Sequence, residues 1–260
     1  MSENSVFRRH FLRSSTLGVA ALTPVAASLA ANARSGPSAA AASSTHEPST
    51  MTQPTSNAFL SLLKRDTTAL LLTDHQVGLY TGVRDITVGD LKHNVVALAK
   101  AARILGVPVI LTATMTDGMW GPVIPELLAA VPGVQPIVRS KINAWEDPRV
   151  AAAVAKTGRR QLLVAGVSLE ICATYPALSA KAEGYDARVV LDASGTFNEA
   201  KRTAGLARLA GAGIPVMDYA SAAVEMLGDN VDPKANEIYG ALDMPFATLV
   251  WQVTEGARKK

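Results

Sequence analysis

The sequence predicts a three-layer, doubly wound α/β domain, with about six strands in a mainly parallel sheet and helices on both faces. Three observations predict it. Short, continuously apolar runs of strand length recur along the chain, as expected of strands buried on both faces. Between them lie segments with apolar residues at helical spacing, several ending at glycine. Strand and helix signals alternate, the pattern of βαβ units with right-handed crossovers.

The first strand is Ala69–Thr73 (A-L-L-L-T), closed by Asp74. Leu91–Leu105 follows as a helix, and Gly106 supplies the left-handed residue that ends many helices. Val109–Ala113 is the second strand, Pro125–Ala130 a short helix and Pro136–Val138 a short third strand. Pro148 suits the first turn of a helix that runs to Thr157 and stops at Gly158. Gln161–Ala165 is the fourth strand, Ile171–Glu183 a helix stopped by Gly184, and Ala187–Leu191 the fifth strand. Asn198–Ala212 is a helix, Pro215–Met217 the sixth strand and Ser221–Leu227 a further helix. No strong period follows Gly228. The domain is therefore set at residues 58–230, with 231–260 as a C-terminal extension.

Composition narrows the function. Hydrophobic residues are 48% of the 260, enough for a sizeable core. The formal net charge is +3, no basic stripe recurs beyond the N-terminus, and aromatics are 5%. Neither a phosphate-tracking surface nor a base-stacking platform is predicted, so no nucleic-acid partner is expected. The single cysteine, Cys172, forms no intrachain disulfide and excludes a multi-cysteine metal site. The histidines at 10, 46, 75 and 93 lack metal-site spacing, so no metal or cofactor is expected.

In doubly wound sheets, ligands bind beyond the carboxyl ends of the strands, where strand order reverses. Asp74 follows the first strand, Arg139 and Lys141 follow the third, and Gly166–Cys172 (G-V-S-L-E-I-C) follows the fourth. A lone buried cysteine is ordinarily a small core residue; its place at a strand–turn–helix junction makes Cys172 a candidate nucleophile. The thiolate is the reactive form, and a helix N-terminus and a nearby cation both favour it. Asp74 is suited to take the thiol proton and deliver it to a leaving amine. The backbone N–H groups of Ile171 and Cys172 are the natural oxyanion donors. Glu170 would oppose a thiolate, so it is expected to point away. Asn143 and Trp145 are candidate substrate-binding residues, whereas His75 and Gln76 are expected to shape their loop. Met115, Met119 and Trp120 suit either a lid or an oligomer contact.

Four stretches carry a family resemblance: Leu70–Gln76 (L-L-L-T-D-H-Q), Val138–Asp147 (V-R-S-K-I-N-A-W-E-D), Val164–Leu178 (V-A-G-V-S-L-E-I-C-A-T-Y-P-A-L) and Val190–Glu199 (V-L-D-A-S-G-T-F-N-E). In this order they resemble the isochorismatase-like cysteine hydrolases, and more closely their YcaC-like branch. The resemblance implies a catalytic triad of aspartate, lysine and cysteine. Asp74 and Cys172 match it. Counting back from Asn143-Ala144-Trp145 puts Arg139 at the lysine position, as expected of that branch, with Lys141 as the alternative. Leu169 stands where relatives carry threonine, in a turn that often holds a cis peptide. The implied activity is cofactor-independent cleavage of a C–N bond in a small amide or carbamoyl compound, through a Cys172 thioester, in a homo-oligomer. Two other readings stand beside it. One is a thiol redox protein, although no second cysteine is there to resolve an oxidised thiol. The other is a non-catalytic, oligomeric small-molecule-binding protein.

Residues 1–33 read as an export signal. A basic stretch from Ser5 to Arg13 precedes an apolar run from Leu17 to Ala30 and the small-residue site Ala31-Asn32-Ala33. Arg8-Arg9 followed by Phe11-Leu12 resembles a twin-arginine signal, which makes the twin-arginine export machinery a partner of the precursor. The apolar run is shorter than the ~20 residues that span a bilayer. A periplasmic or secreted mature protein, free of the membrane, is expected. Residues 34–57, rich in Ser, Ala, Thr and Pro, read as a flexible linker. Changing Arg8 and Arg9 to lysine should hold the precursor in the cytoplasm. Fractionation that finds unchanged exported protein would reject the twin-arginine assignment.

Overall fold

The computed structural model describes residues 60–258. The expected export signal and linker, and the first two residues of the expected domain, lie outside the described residues. Within them, six parallel strands form one sheet: β1 (Thr68–Thr73), β2 (Val109–Thr114), β3 (Ile137–Arg139), β4 (Gln161–Gly166), β5 (Asp186–Val190) and β6 (Val216–Met217). Their order across the sheet is β3-β2-β1-β4-β5-β6. The doubly wound parallel architecture expected from the sequence is the observed one.

The helices are α1 (Val77–Tyr80), α2 (Val88–Leu105), α3 (Pro125–Ala130), α4 (Pro148–Lys156), α5 (Thr174–Ala182), α6 (Glu199–Gly211), α7 (Tyr219–Leu227), α8 (Ala235–Leu242) and α9 (Pro245–Arg258). Their termini follow local chemistry. Gly106 ends α2 in the left-handed region at φ 73°, and Thr87 caps its start by accepting the Asp90 N–H. Pro148 stands in the first turn of α4, where the missing N–H costs nothing.

Strand residues alternate between two cores because successive side chains point to opposite faces. Leu70 and Leu72 of β1 join α2, α3, α7 and α8 on one face, whereas Ala69 and Leu71 join α4, α5 and α6 on the other. Burial on both faces is why β1 reads as an unbroken apolar run. The cores also fix the site. The path from β1 leads to α2 on one face, and the path from β4 leads to α5 on the other. β1 and β4 are neighbours, with Thr73 opposite Gly166. A crevice therefore opens between their carboxyl ends, the point at which strand order reverses.

Some elements differ from expectation. A π-helical turn, Leu169–Ala173, precedes α5, so Cys172 lies in that turn rather than in the first turn of an α-helix. α1 has four residues, and Ala144–Glu146 form one 3-10 turn, both too short to show a period. The segment set apart as an extension contains α8 and α9. Ala235, Ile238 and Leu242 of α8 are buried in the same core as α2 and α7. Three apolar points over two turns gave the sequence no detectable period. α9 leaves Phe246, Leu249, Val250 and Val253 exposed.

Ile238 is fully buried. Ile238→Ala should lower the unfolding free energy by about 2–5 kcal/mol, the usual effect of truncating a buried aliphatic side chain. The denaturant midpoint reads it; an unchanged midpoint would show that α8 is not part of the cooperative fold.

Candidate active site

Asp74 takes the position directly after β1 with φ 59°, in the left-handed region. Non-glycine residues are uncommon there and concentrate at functional sites. Its backbone N–H still donates to the Thr112 carbonyl of β2 at 3.0 Å, so the sheet holds the turn in place. Gln76, two residues on, pins the loop after β2. Its Nε2 donates to the carbonyls of Thr114 (2.9 Å) and Gly121 (2.6 Å), and its Oε1 accepts the Thr114 N–H at 2.8 Å. Gly78 lets α1 pass against that loop, because a Cβ there would lie 2.2 Å from the Met119 carbonyl oxygen.

Arg139 is the last residue of β3. Its Nη2 donates to Asp74 Oδ2 at 2.6 Å, and both side chains are almost wholly buried. Its Nη1 donates to the carbonyl of Lys141 and, at 3.3 Å, to that of Ile142. The alternative cation, Lys141, is exposed and contributes its carbonyl rather than its ammonium. Arg139 therefore fills the middle position of the cluster.

Cys172 reaches the same crevice from the turn after β4. That turn begins with a cis Val167–Ser168 peptide and folds back tightly. A Cβ at Gly166 would lie 2.9 Å from the Thr73 carbonyl oxygen and 3.0 Å from the Cys172 carbonyl carbon. Three N–H groups converge on the Ser168 carbonyl: Cys172 at 2.7 Å, and Ile171 and Ala173 at 3.3 Å each. The two expected oxyanion donors, Ile171 and Cys172, are thus already engaged within the turn, Ile171 the more loosely. Glu170 does face away from the thiol, accepting from Thr196 Oγ1 at 2.7 Å with Lys201 Nζ 3.8 Å from its other oxygen.

The charge balance differs from the expected thiolate. Burial, and then the Asp74 charge, push the Cys172 thiol well above its ordinary value, with Arg139 acting in the opposite sense. Burial also raises the Asp74 carboxyl, while Arg139 and the Cys172 thiol draw it down. Arginine stays charged throughout, so the cluster holds one compensating anion. That anion is Asp74, which touches the guanidinium and disfavours a second negative charge on the half-buried Cys172 beside it. Asp74 Oδ1 is buried and, apart from the Cys172 thiol beside the carboxylate, has no partner, which places it to take a proton. His75 stays neutral, its pKa lowered to about 4 by burial, and its Nδ1 meets Tyr80 Oη at 2.9 Å.

Asp74, Arg139 and Cys172 line one cavity of about 200 Å³. Leu79, Trp120, Ile142, Ile171 and Phe197 supply apolar wall, and Thr114 and Ser168 further polar surface. This is smaller than the ~300–1,000 Å³ usual for drug-sized ligands. Asn143 and Trp145 are not among the lining residues. Asn143 Nδ2 donates to Ser179 Oγ at 2.9 Å and its Oδ1 accepts the Trp145 N–H. Trp145 is buried, donating to Glu183 Oε1 at 2.8 Å and packing edge-on to Tyr185. Both residues brace the 3-10 turn against α5. Leu79 and Phe197 went unrecognised because they come from separate connections. Trp120 lines the cavity, whereas Met115 and Met119 of its loop are exposed.

The Isochorismatase domain family matches residues 68–221. The chain is 45% identical over 168 residues to the probable hydrolase YcaC of Escherichia coli (strain K12), a match spanning 64% of this chain and 81% of that protein. It is 30% identical over 149 residues to isochorismatase domain-containing protein 2 of Rattus norvegicus, spanning 57% and 69% of the two chains. The solved structure of E. coli YcaC, described as an octameric hydrolase of unknown specificity, superposes with a TM-score of 0.70 at 38% identity, over 75% of this chain and 97% of the other. YcaC from Pseudomonas aeruginosa, solved with hexane-2,5-diol and covalent acrylamide, gives 0.71 at 39% identity, over 75% and 98%.

A thiol raised by burial and by Asp74 should alkylate with a pH midpoint above the ~8.5 of a free cysteine. Asp74→Asn removes the negative neighbour and should move that midpoint down. Iodoacetamide labelling of Cys172 across pH reads both; a midpoint at or below ~8.5 in the unmutated protein would show that burial and Asp74 do not raise the thiol.

Proposed function

Since this chain belongs to the isochorismatase family, on its YcaC branch, we propose that it is a cysteine-dependent hydrolase. Its reaction is cleavage of a C–N bond in a small amide or carbamoyl compound through a thioester on Cys172. One observation carries the reading: Asp74, Arg139 and Cys172, brought from three strand ends, line a single small cavity at the switch point of the sheet.

The substrate carbonyl carbon meets Cys172 Sγ. Asp74 Oδ1 takes the thiol proton as the S–C bond forms, so no free thiolate accumulates beforehand. The oxyanion that develops competes with the Ser168 carbonyl for the turn's N–H groups, first for Ile171, held at 3.3 Å. Asp74 then gives its proton to the leaving nitrogen as the C–N bond breaks, releasing ammonia or an amine. Water attacks the thioester with Asp74 again as base. The carboxylic acid departs and the thiol is restored. Arg139 stays charged, fixing the carboxylate and holding it ionised between proton transfers.

The covalent acrylamide of the P. aeruginosa relative supports a reactive nucleophile in that branch; acrylamide is captured at its alkene carbon, so the adduct bears on nucleophilicity rather than on amide cleavage. A redox role is disfavoured, because a protonated thiol oxidises slowly and Cys172 is the chain's single cysteine. We also propose that the protein is exported and works as a homo-oligomer. The octameric E. coli relative and the exposed apolar side chains of α9 support assembly.

Cys172→Ala and Cys172→Ser should fold and lose at least roughly 10³-fold in amide hydrolysis, and Asp74→Asn should be comparably impaired. Rapidly quenched wild-type protein should carry an acyl mass on Cys172. Undiminished turnover in Cys172→Ala would overturn the hydrolase mechanism and leave a binding protein. Native mass spectrometry of the same sample reads the assembly, and a monomer would reject the oligomer.

A further inference from the structure

We infer that the substrate of this site is a small, uncharged carboxamide with an apolar acyl group, and that amides carrying a carboxylate are rejected. The inference rests on the cysteine-hydrolase reading and narrows it to a substrate class.

The charge around the cavity is closed. Among the described residues lining it, Asp74 and Arg139 are the charged ones, and they face each other at 2.6 Å. The guanidinium's charge is already answered by Asp74, and of its three nitrogens Nε alone is without a partner. Its Nη2 serves Asp74, and its Nη1 serves the carbonyls of Lys141 and Ile142. Lys141, the nearest other cation in sequence, is exposed and absent from the lining. A substrate carboxylate would thus enter a space walled by Leu79, Trp120, Ile142 and Phe197, with the Asp74 charge at its floor. It would lose hydration there and gain at most the Nε–H of a guanidinium whose charge Asp74 already balances.

What the site lacks is hydrogen bonding, of a neutral kind. Two buried polar atoms of the lining residues have no partner: Asp74 Oδ1, an acceptor, and Arg139 Nε, a donor. As it first binds, a carboxamide offers the complement of both in one uncharged group, an N–H donor for Asp74 Oδ1 and a C=O acceptor for Arg139 Nε, before attack by Cys172 turns the carbonyl oxygen to the N–H groups of the turn. Buried atoms left unpaired disfavour the empty or wrongly filled site, so a ligand that pairs both is selected over one that cannot. The volume of about 200 Å³ limits the rest of the molecule to a short chain or small ring.

Butyramide and succinamate make a matched test, because they differ by a terminal methyl against a carboxylate. Two readouts on the full assembled protein separate the inference from the reading on which it rests. One is kcat/KM for ammonia release; the other is protection of Cys172 from iodoacetamide. Butyramide should exceed succinamate by roughly 10²–10³-fold in kcat/KM, the effect of an uncompensated buried charge. Only butyramide should protect the thiol at millimolar concentration. Ile142 lines the cavity yet is 68% exposed, so Ile142→Arg adds a cation with little risk to folding. It should narrow the preference at least about 10-fold, chiefly through the KM for succinamate.

Equal or better turnover of succinamate would overturn the substrate class and leave the hydrolase standing. Protection by butyramide without hydrolysis would keep the ligand class and reject the reaction. Neither protection nor turnover with butyramide would overturn both. An unchanged preference in Ile142→Arg would show that the missing countercharge is not the cause of selection.

Discussion

The buried ion pair between Asp74 and Arg139 is the interaction on which the site depends. It joins the ends of β1 and β3 across the intervening β2, so it forms only if all three strands end in register. Losing either partner would strand the other charge in the interior, an error that costs about 3–5 kcal/mol. The pair also decides the protonation of its neighbour. With the guanidinium committed to Asp74, its pull on the Cys172 thiol is outweighed, and the proposed reaction uses the carboxylate as base.

The sheet order explains why these groups meet. Cys172 arrives from β4, on the opposite side of β1 from Arg139, and Asp74 stands between them. That arrangement needs the reversal of winding between β1 and β4, which sends the two following connections to opposite faces. The glycine at 166 completes it. The turn bearing Cys172 returns so close to β1 that a side chain at that position would collide with backbone.

The fold was legible because its signals are local. The apolar run of β1, the glycines at 106, 158 and 184, and Pro148 each mark an element by short-range chemistry. Asp74, Arg139 and Cys172 were legible because strand ends are where such folds place their ligands. The rest depends on distance in space. Asn143 and Trp145 lie close to Arg139 in sequence, yet the 3-10 turn carries them onto α5. Phe197 and Leu79 come from unrelated connections. Residue types could show that a cation, an acid and a thiol were present, but not which two would pair, and that pairing sets the charge balance against the expected thiolate. α8 was too short to announce its apolar face.

The upward shift of the Cys172 thiol has a bearing on durability. Peroxides attack thiolates far faster than thiols, and a cysteine with no partner thiol has no route back once oxidised beyond the sulfenic acid. By disfavouring the anion, burial and the Asp74 charge lessen the exposure of the chain's single cysteine to oxidative loss. A thiol held in this way tolerates surroundings in which a permanently activated cysteine would soon be spent.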